Sequence, residues 1–150
     1  MNAEDRNRLI RSGNARWIGT LAKGEGHLST ASGALQDQRY AFATRFAQEQ
    51  GTNPEELIAA AHAGCYCMAL AYGLGQAGKP PEHIAATAAL SLLLGPQGPA
   101  VTGVKLTVQA RVPGISAAEF EQHTQLAKTN CLVSRLLNVE VSLDAVLLDG

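Results

Sequence analysis

The chain has 150 residues, 46% of them hydrophobic, enough apolar material for one ordinary domain to fold without covalent staples. Its net charge is -1 and its arginines and lysines are scattered singly, so no basic stripe follows a phosphate backbone, which excludes nucleic acid as a partner. Three cysteines cannot all pair internally, which excludes a disulfide framework; the opening Met1-Asn2-Ala3-Glu4-Asp5-Arg6 lacks the apolar run of a signal peptide, and no stretch approaches the roughly 20 continuous apolar residues of a membrane span. The expectation is a soluble, cytoplasmic chain with reduced thiols and no membrane partner.

β-favouring residues on both sides of Lys23-Gly24-Glu25-Gly26 predict a hairpin over residues 15–30, and Arg39 to Phe42 reads as a further extended segment of that sheet. In Gly51-Thr52-Asn53-Pro54-Glu55-Glu56, Asn53 suits a helix cap, Pro54 the first helical position and Glu56 a carboxylate reaching back. The helix so started runs from about Pro54 to about Gln76 and stops at Gly78-Lys79-Pro80-Pro81. Its middle is apolar on every side, the pattern of a buried core helix.

Two alternating strands follow. Ile84, Ala86, Ala88, Leu90, Leu92 and Leu94 share one face of His83 to Leu94, and Val104, Leu106, Val108, Ala110 and Val112 share one face of the next. Gly95-Pro96-Gln97-Gly98-Pro99 joins them as a long antiparallel pair. Ser116-Ala117-Ala118-Glu119 is a capping box opening a helix to about Thr129, and Asn130 is expected to cap a short helix from Cys131. Val139 to Leu147 alternates again and closes the chain as a strand with one wet face. The order is α+β, because no strand alternates regularly with a crossover helix. A single domain is expected, with a strand-rich lobe over about 1–50, a central helix over about 54–77 and an α+β lobe over about 82–150.

Cys65 lies in the alanine-rich middle of the long helix, where small apolar neighbours leave a thiol inert unless a positive charge or helix terminus favours its thiolate. Cys65 and Cys67 point roughly 200° apart on a helix and cannot bond to each other while it persists. Any redox pair therefore joins Cys65 or Cys67 to Cys131, whose place at a helix start favours its thiolate. The candidate cations are Arg45 upstream and His62, which shares a helical face with Cys65; Arg135 lies one turn beyond Cys131.

The runs Arg45-Phe46, Gly51-Thr52-Asn53-Pro54-Glu55-Glu56-Leu57, Ala60-Ala61-His62-Ala63-Gly64-Cys65 and Cys131-Leu132-Val133-Ser134-Arg135 occur in order. Together with Arg16-Trp17-Ile18-Gly19 and Gly24-Glu25-Gly26 they closely resemble the OsmC branch of the OsmC/Ohr superfamily of thiol peroxidases over nearly the whole chain. The resemblance implies an OsmC-like fold, with antiparallel sheets around a long buried central helix, in an intertwined homodimer. It implies that Cys65 is the peroxidatic thiol, Cys131 the resolving one, Arg45 the arginine holding the thiolate and Glu55 the carboxylate orienting that arginine.

The implied reaction is reduction of an organic hydroperoxide to an alcohol, through a Cys65 sulfenic acid and a Cys65–Cys131 disulfide, in oxidative or osmotic stress defence. No cofactor or metal is implied; an external dithiol, of lipoyl type or on a lipoylated protein, is the reductant. Two positions depart from the family: Cys67 stands where a serine or small polar residue is usual, and Gly64 where alanine is usual. Cys67 reads as a buried small hydrophobe and Gly64 as a site of close helix packing, while His62 reads as a packing or hydrogen-bonding residue and His27, His83 and His123 as exposed. The competing readings are a metal site of His62, Cys65 and Cys131, a non-catalytic dimer binding an apolar ligand, and thiol-disulfide exchange on proteins.

Overall fold

A glycine marks the tightest point of the N-terminal sheet. Gly26 lies opposite Trp17 on one side and Tyr40 on the other, and a Cβ there would collide with both rings, which pack with centroids 5.5 Å apart. The sheet belongs to the first of two units in a computed structural model that describes residues 2–149; the units are Met1–Pro54 and Glu55–Gly150.

In the first unit a single turn, α1 (Ala3–Arg6), precedes β1 (Gly13–Ile18), β2 (Glu25–Thr30) and β3 (Gln38–Ala41), all antiparallel in the order β1-β2-β3. Glu25 and Gly26, expected in the hairpin turn, instead pair with Ile18 and Trp17 inside β2. The aromatic packing over Gly26 outweighs its turn propensity. A short helix, α2 (Phe42–Phe46), begins where the sequence suggested continued extension. The Thr44 hydroxyl accepts the Ala41 N–H at 2.9 Å, and the Phe42 and Phe46 rings meet one turn apart at 5.0 Å.

The second unit is built on α3 (Pro54–Gln76), whose ends match the expected start at Pro54 and stop before Gly78. Two strands follow as an antiparallel hairpin, β4 (His83–Gly95) and β5 (Gly98–Arg111), with a register shift at Ser91/Leu92. The capping box at Ser116 forms as read, with Ser116 N–H donating to Glu119 at 2.9 Å, and opens α4 (Ala117–Asn130). A five-residue helix, α5 (Leu132–Leu136), and β6 (Val141–Leu147) complete the unit. β6 runs parallel to β5, so the sheet in order β4-β5-β6 is mixed rather than antiparallel throughout.

Alternation decides which strand face enters the core. Val104, Leu106, Val108, Ala110 and Val112 are all buried, as their period of two requires, and the last four join Tyr66, Leu70 and Leu74 of α3 and Phe120 and Ala127 of α4 in one cluster. On the opposing β4 the inward residues are half-buried, and Leu94 at its end is exposed.

The long helix departs from its expected all-round burial. Its buried residues are His62, Tyr66, Leu70 and Leu74, one stripe at a spacing of four, while Met68 is 77% and Tyr72 71% exposed. With 23 residues it is also long and apolar enough to cross a membrane by length and composition, which corrects the expectation that no stretch comes near a span. Core helices that pack a stripe into a sheet meet the same criterion, and this one does so.

Candidate active site

Cys65 stands one residue before Tyr66, at the border between the buried stripe of α3 and its exposed apolar side. That border opens on a cavity of about 960 Å³, to which α3 contributes Cys65, Met68 and Tyr72, α4 contributes Leu126, and the α4–α5 junction contributes Cys131 and Leu132. Lining of this kind suits an apolar ligand with few polar handles. Gly64 is on this wall too, and among the described residues a Cβ there would meet nothing within 4 Å.

Cys131 is buried to 1% exposure where the chain turns from α4 into α5. Its N–H donates to Ala127 O at 2.9 Å and its carbonyl accepts from Arg135 N at 3.1 Å, so one residue ends one helix and starts the next. Asn130, expected to cap, is instead the last residue of α4, and Cys131 takes the N-cap position without closing a side-chain cap hydrogen bond.

The two thiols face each other and titrate as a pair. Burial pushes the Cys65 thiol up, offset in part by the Val133 N–H, and its contact with Cys131 adds to the rise. At Cys131 burial also acts upward as the largest single effect, but the Ser134 N–H, the Cys65 thiol, the Ser134 hydroxyl and the Val133 N–H together bring it below the ordinary thiol value. Of the two thiols Cys131 is therefore the more readily ionised within this unit. Both are free cysteines, as is Cys67.

Behind this pair His62 is fully buried, and its Nε2 lies 2.7 Å from Ser134 Oγ while its Nδ1 meets no hydrogen-bond partner among the described residues. Burial pushes the imidazole below its ordinary value, so it is neutral. Ser134 received no role from the sequence. The available signal was its position three residues after Cys131, the N-cap to N3 spacing. With His62 turned to Ser134, no group of three or more His, Cys, Asp or Glu side chains among the described residues is arranged to hold a metal ion.

Of the four residues expected to form the site, Cys65 and Cys131 meet in the second unit. Glu55 is in the first turn of α3, ten residues and about 15 Å of helical rise from Cys65. Arg45 is exposed on α2 of the first unit, its guanidinium carbon 4.8 Å from the Phe46 ring centroid. Cys67 turns away from the pair, as helix geometry requires, and its half-buried thiol is pushed up by burial against the opposing Ala86 N–H. Two histidines differ from expectation. His123 is half-buried on the cavity wall, and His27 is held between Glu25 and Asp37; His83 is exposed.

A profile of the OsmC family, described as OsmC-like protein, matches residues 47–145. The peroxiredoxin OsmC of Escherichia coli is 48% identical over 136 residues, covering 91% of this chain and 95% of that protein, and the peroxiredoxin OsmC of Shigella flexneri matches to the same extent. Among solved structures, the organic hydroperoxide resistance protein OhrB of Bacillus subtilis superposes with a TM-score of 0.68 at 24% identity, covering 90% of this chain and 98% of that one. An OsmC-like protein of Mycoplasma pneumoniae reaches 0.72 at 11% identity, covering 94% and 99%. These two likenesses speak to the fold.

Proposed function

Because the chain belongs to the OsmC family, we propose that it is a cysteine-dependent peroxidase that reduces organic hydroperoxides to alcohols, with Cys65 as peroxidatic and Cys131 as resolving thiol. The observation that carries this reading is the meeting of the two thiols on an apolar cavity. In the first step the Cys65 thiolate attacks the distal peroxide oxygen. The O–O bond breaks, the alkoxide takes a proton to leave as alcohol, and Cys65 becomes a sulfenic acid. Cys131 thiolate then attacks the Cys65 sulfur, the S–S bond forms as the S–O bond breaks, and the departing hydroxide is protonated to water. An external dithiol, of lipoyl type or on a lipoylated protein, reduces the disulfide by exchange. The setting that keeps such thiols reduced is the cytoplasm, and the role is oxidative or osmotic stress defence.

Burial raises the Cys65 thiol, so the first step needs a fixed cation beside it. Arg45 is assigned that role, since arginine stays charged at any working pH, and Glu55 orients its planar fork. The distance along α3 from Glu55 to Cys65 favours their acting on the Cys65 of a second copy in a homodimer. Exposure of Met68, Tyr72 and Leu132 at 77%, 71% and 65% supports the same assembly, which would cover them.

Stopped-flow oxidation by an alkyl hydroperoxide, followed by intact mass after thiol blocking, should show fast loss of two protons mapped to Cys65 and Cys131. Oxidation no faster than that of a free thiol rejects the reading. A mixed dimer of Arg45→Ala and Cys65→Ala subunits should retain one working site of two, whereas a fully inactive mixed dimer rejects action across the interface.

A further inference from the structure

We propose that the hydrogen bond between His62 and Ser134 is a tether that holds the start of α5 against α3, one turn from each thiol, and that both are positioning residues for closure of the Cys65–Cys131 disulfide. The inference rests on the resolving role proposed for Cys131.

Apolar packing fixes α5 only loosely. None of its five residues is fully buried, Leu132 and Leu136 are 65% and 80% exposed, and Val133 meets the core from a half-buried position. The Cys131 N–H bond to Ala127 O ties the head of α5 to α4, not to α3. Cys131 itself is buried, but apolar burial has no direction, whereas a disulfide closes only within narrow limits of distance and angle.

His62 supplies a directional contact. Its Nε2 lies 2.7 Å from Ser134 Oγ, and its Nδ1 meets no partner among the described residues. The ring is fully buried and neutral, so its single proton belongs on Nε2, where Ser134 Oγ accepts it; a buried N–H without an acceptor costs more than a bare lone pair. The spacing then does the rest. Cys65 follows His62 by three residues on α3, and Cys131 precedes Ser134 by three, as N-cap to third residue of α5. Three residues of helix bring side chains to one face, so the hydrogen bond and the two cysteines are neighbouring rungs between the same two elements. Cys65 and Cys131 accordingly line one cavity, and Cys65 packs on the cluster that contains Cys131. With the tether closed, Cys131 stays within reach while Cys65 becomes a sulfenic acid. The S–S bond then forms as the S–O bond breaks, hydroxide leaves to be protonated to water, and the tether takes no part in these bond changes.

The tether can be read without peroxide. Equilibrating the reduced chain with a buffer of oxidised and reduced dithiothreitol moves two electrons and two protons from Cys65 and Cys131 to the cyclic disulfide, giving the protein disulfide and the dithiol; thiol blocking and peptide mass read the ratio. Ser134→Ala should lower that equilibrium constant about fivefold, the scale of one buried hydrogen bond, and Ser134→Thr should restore it. His62→Leu should lower it as far, and His62→Gln, whose amide N–H replaces Nε2–H, should recover it. The double variant of Ser134→Ala and His62→Leu should fall no further than either alone, because both remove one shared bond. An unmoved constant in Ser134→Ala overturns the proposal, as does a double variant that loses the product of the two single losses, or a parent that forms no Cys65–Cys131 disulfide in this buffer. With an alkyl hydroperoxide, Ser134→Ala should oxidise Cys65 at the parent rate and close the disulfide about fivefold more slowly; closure at the parent rate also overturns it. A parent that an alkyl hydroperoxide leaves unoxidised fails the function proposed above, while the dithiol equilibrium still decides this inference on its own.

Discussion

The charged face of the N-terminal sheet and the thiol pair of the C-terminal unit organise polar groups in opposite ways. On the sheet, Arg16, His27 and Arg39 stand side by side across three strands, and Glu25, Asp37 and Glu49 pair with them in solvent. Four of these six groups, His27, Arg39, Glu25 and Asp37, have two partners each, and water screens them all, so no single pair decides anything. At the thiol pair the Cys131 sulfur is buried among a few backbone N–H groups and the Cys65 thiol, with the His62–Ser134 hydrogen bond behind them. With so few partners, each one shifts where a proton resides. Redundancy and screening make the first region tolerant, and isolation makes the second specific.

The contrast can be broken most forcefully in the core. Leu70→Ala, at a fully buried position between α3 and the sheet, should cost 2 to 5 kcal/mol, about the range for a leucine cavity, measured by denaturant unfolding. A much smaller loss would mean that this side of α3 is packed no better than the exposed ion pairs.

The smallest effect is expected at the charged sheet. Arg39→Ala removes partners of Glu25 and Glu49, yet should leave the unfolding midpoint close to that of the parent, because both carboxylates remain hydrated. Its signature is in pH. Glu25 is held below the ordinary carboxylate value first by Arg39, so its contribution is present above that ordinary value and is lost as pH falls through the lowered one. His27 is raised, chiefly by the Asp37 backbone and then by Glu25, so its contribution is full below the ordinary imidazole value and lost as pH rises through the raised one. His27 owes nothing to Arg39, so the difference between Arg39→Ala and parent should be largest, though still modest, above the ordinary carboxylate value and should shrink as pH falls through the lowered one. A large midpoint drop at every pH would show that the face is not tolerant.

The sequence by itself determined what repeats locally. Pro54 after Asn53 started the long helix, the Ser116–Glu119 box started α4, and the period of two in Val104 to Val112 chose the inner face of β5, because each signal is complete within a few residues. The ordered motifs around Arg45, Glu55, Cys65 and Cys131 pointed to the family, and the angle between successive helical side chains separated Cys67 from Cys65. Tertiary structure alone decided the rest. The packing of Trp17 and Tyr40 over Gly26 moved Glu25 and Gly26 from turn to strand, and the parallel pairing of β6 with β5 depends on where the chain returns after α5. Only one stripe of α3 is covered, because the sheet has a single inner face to offer it. Above all, the bond between His62 and Ser134 joins side chains 72 residues apart, and a hydrogen bond between two such distant side chains leaves no periodic trace in the chain that carries them.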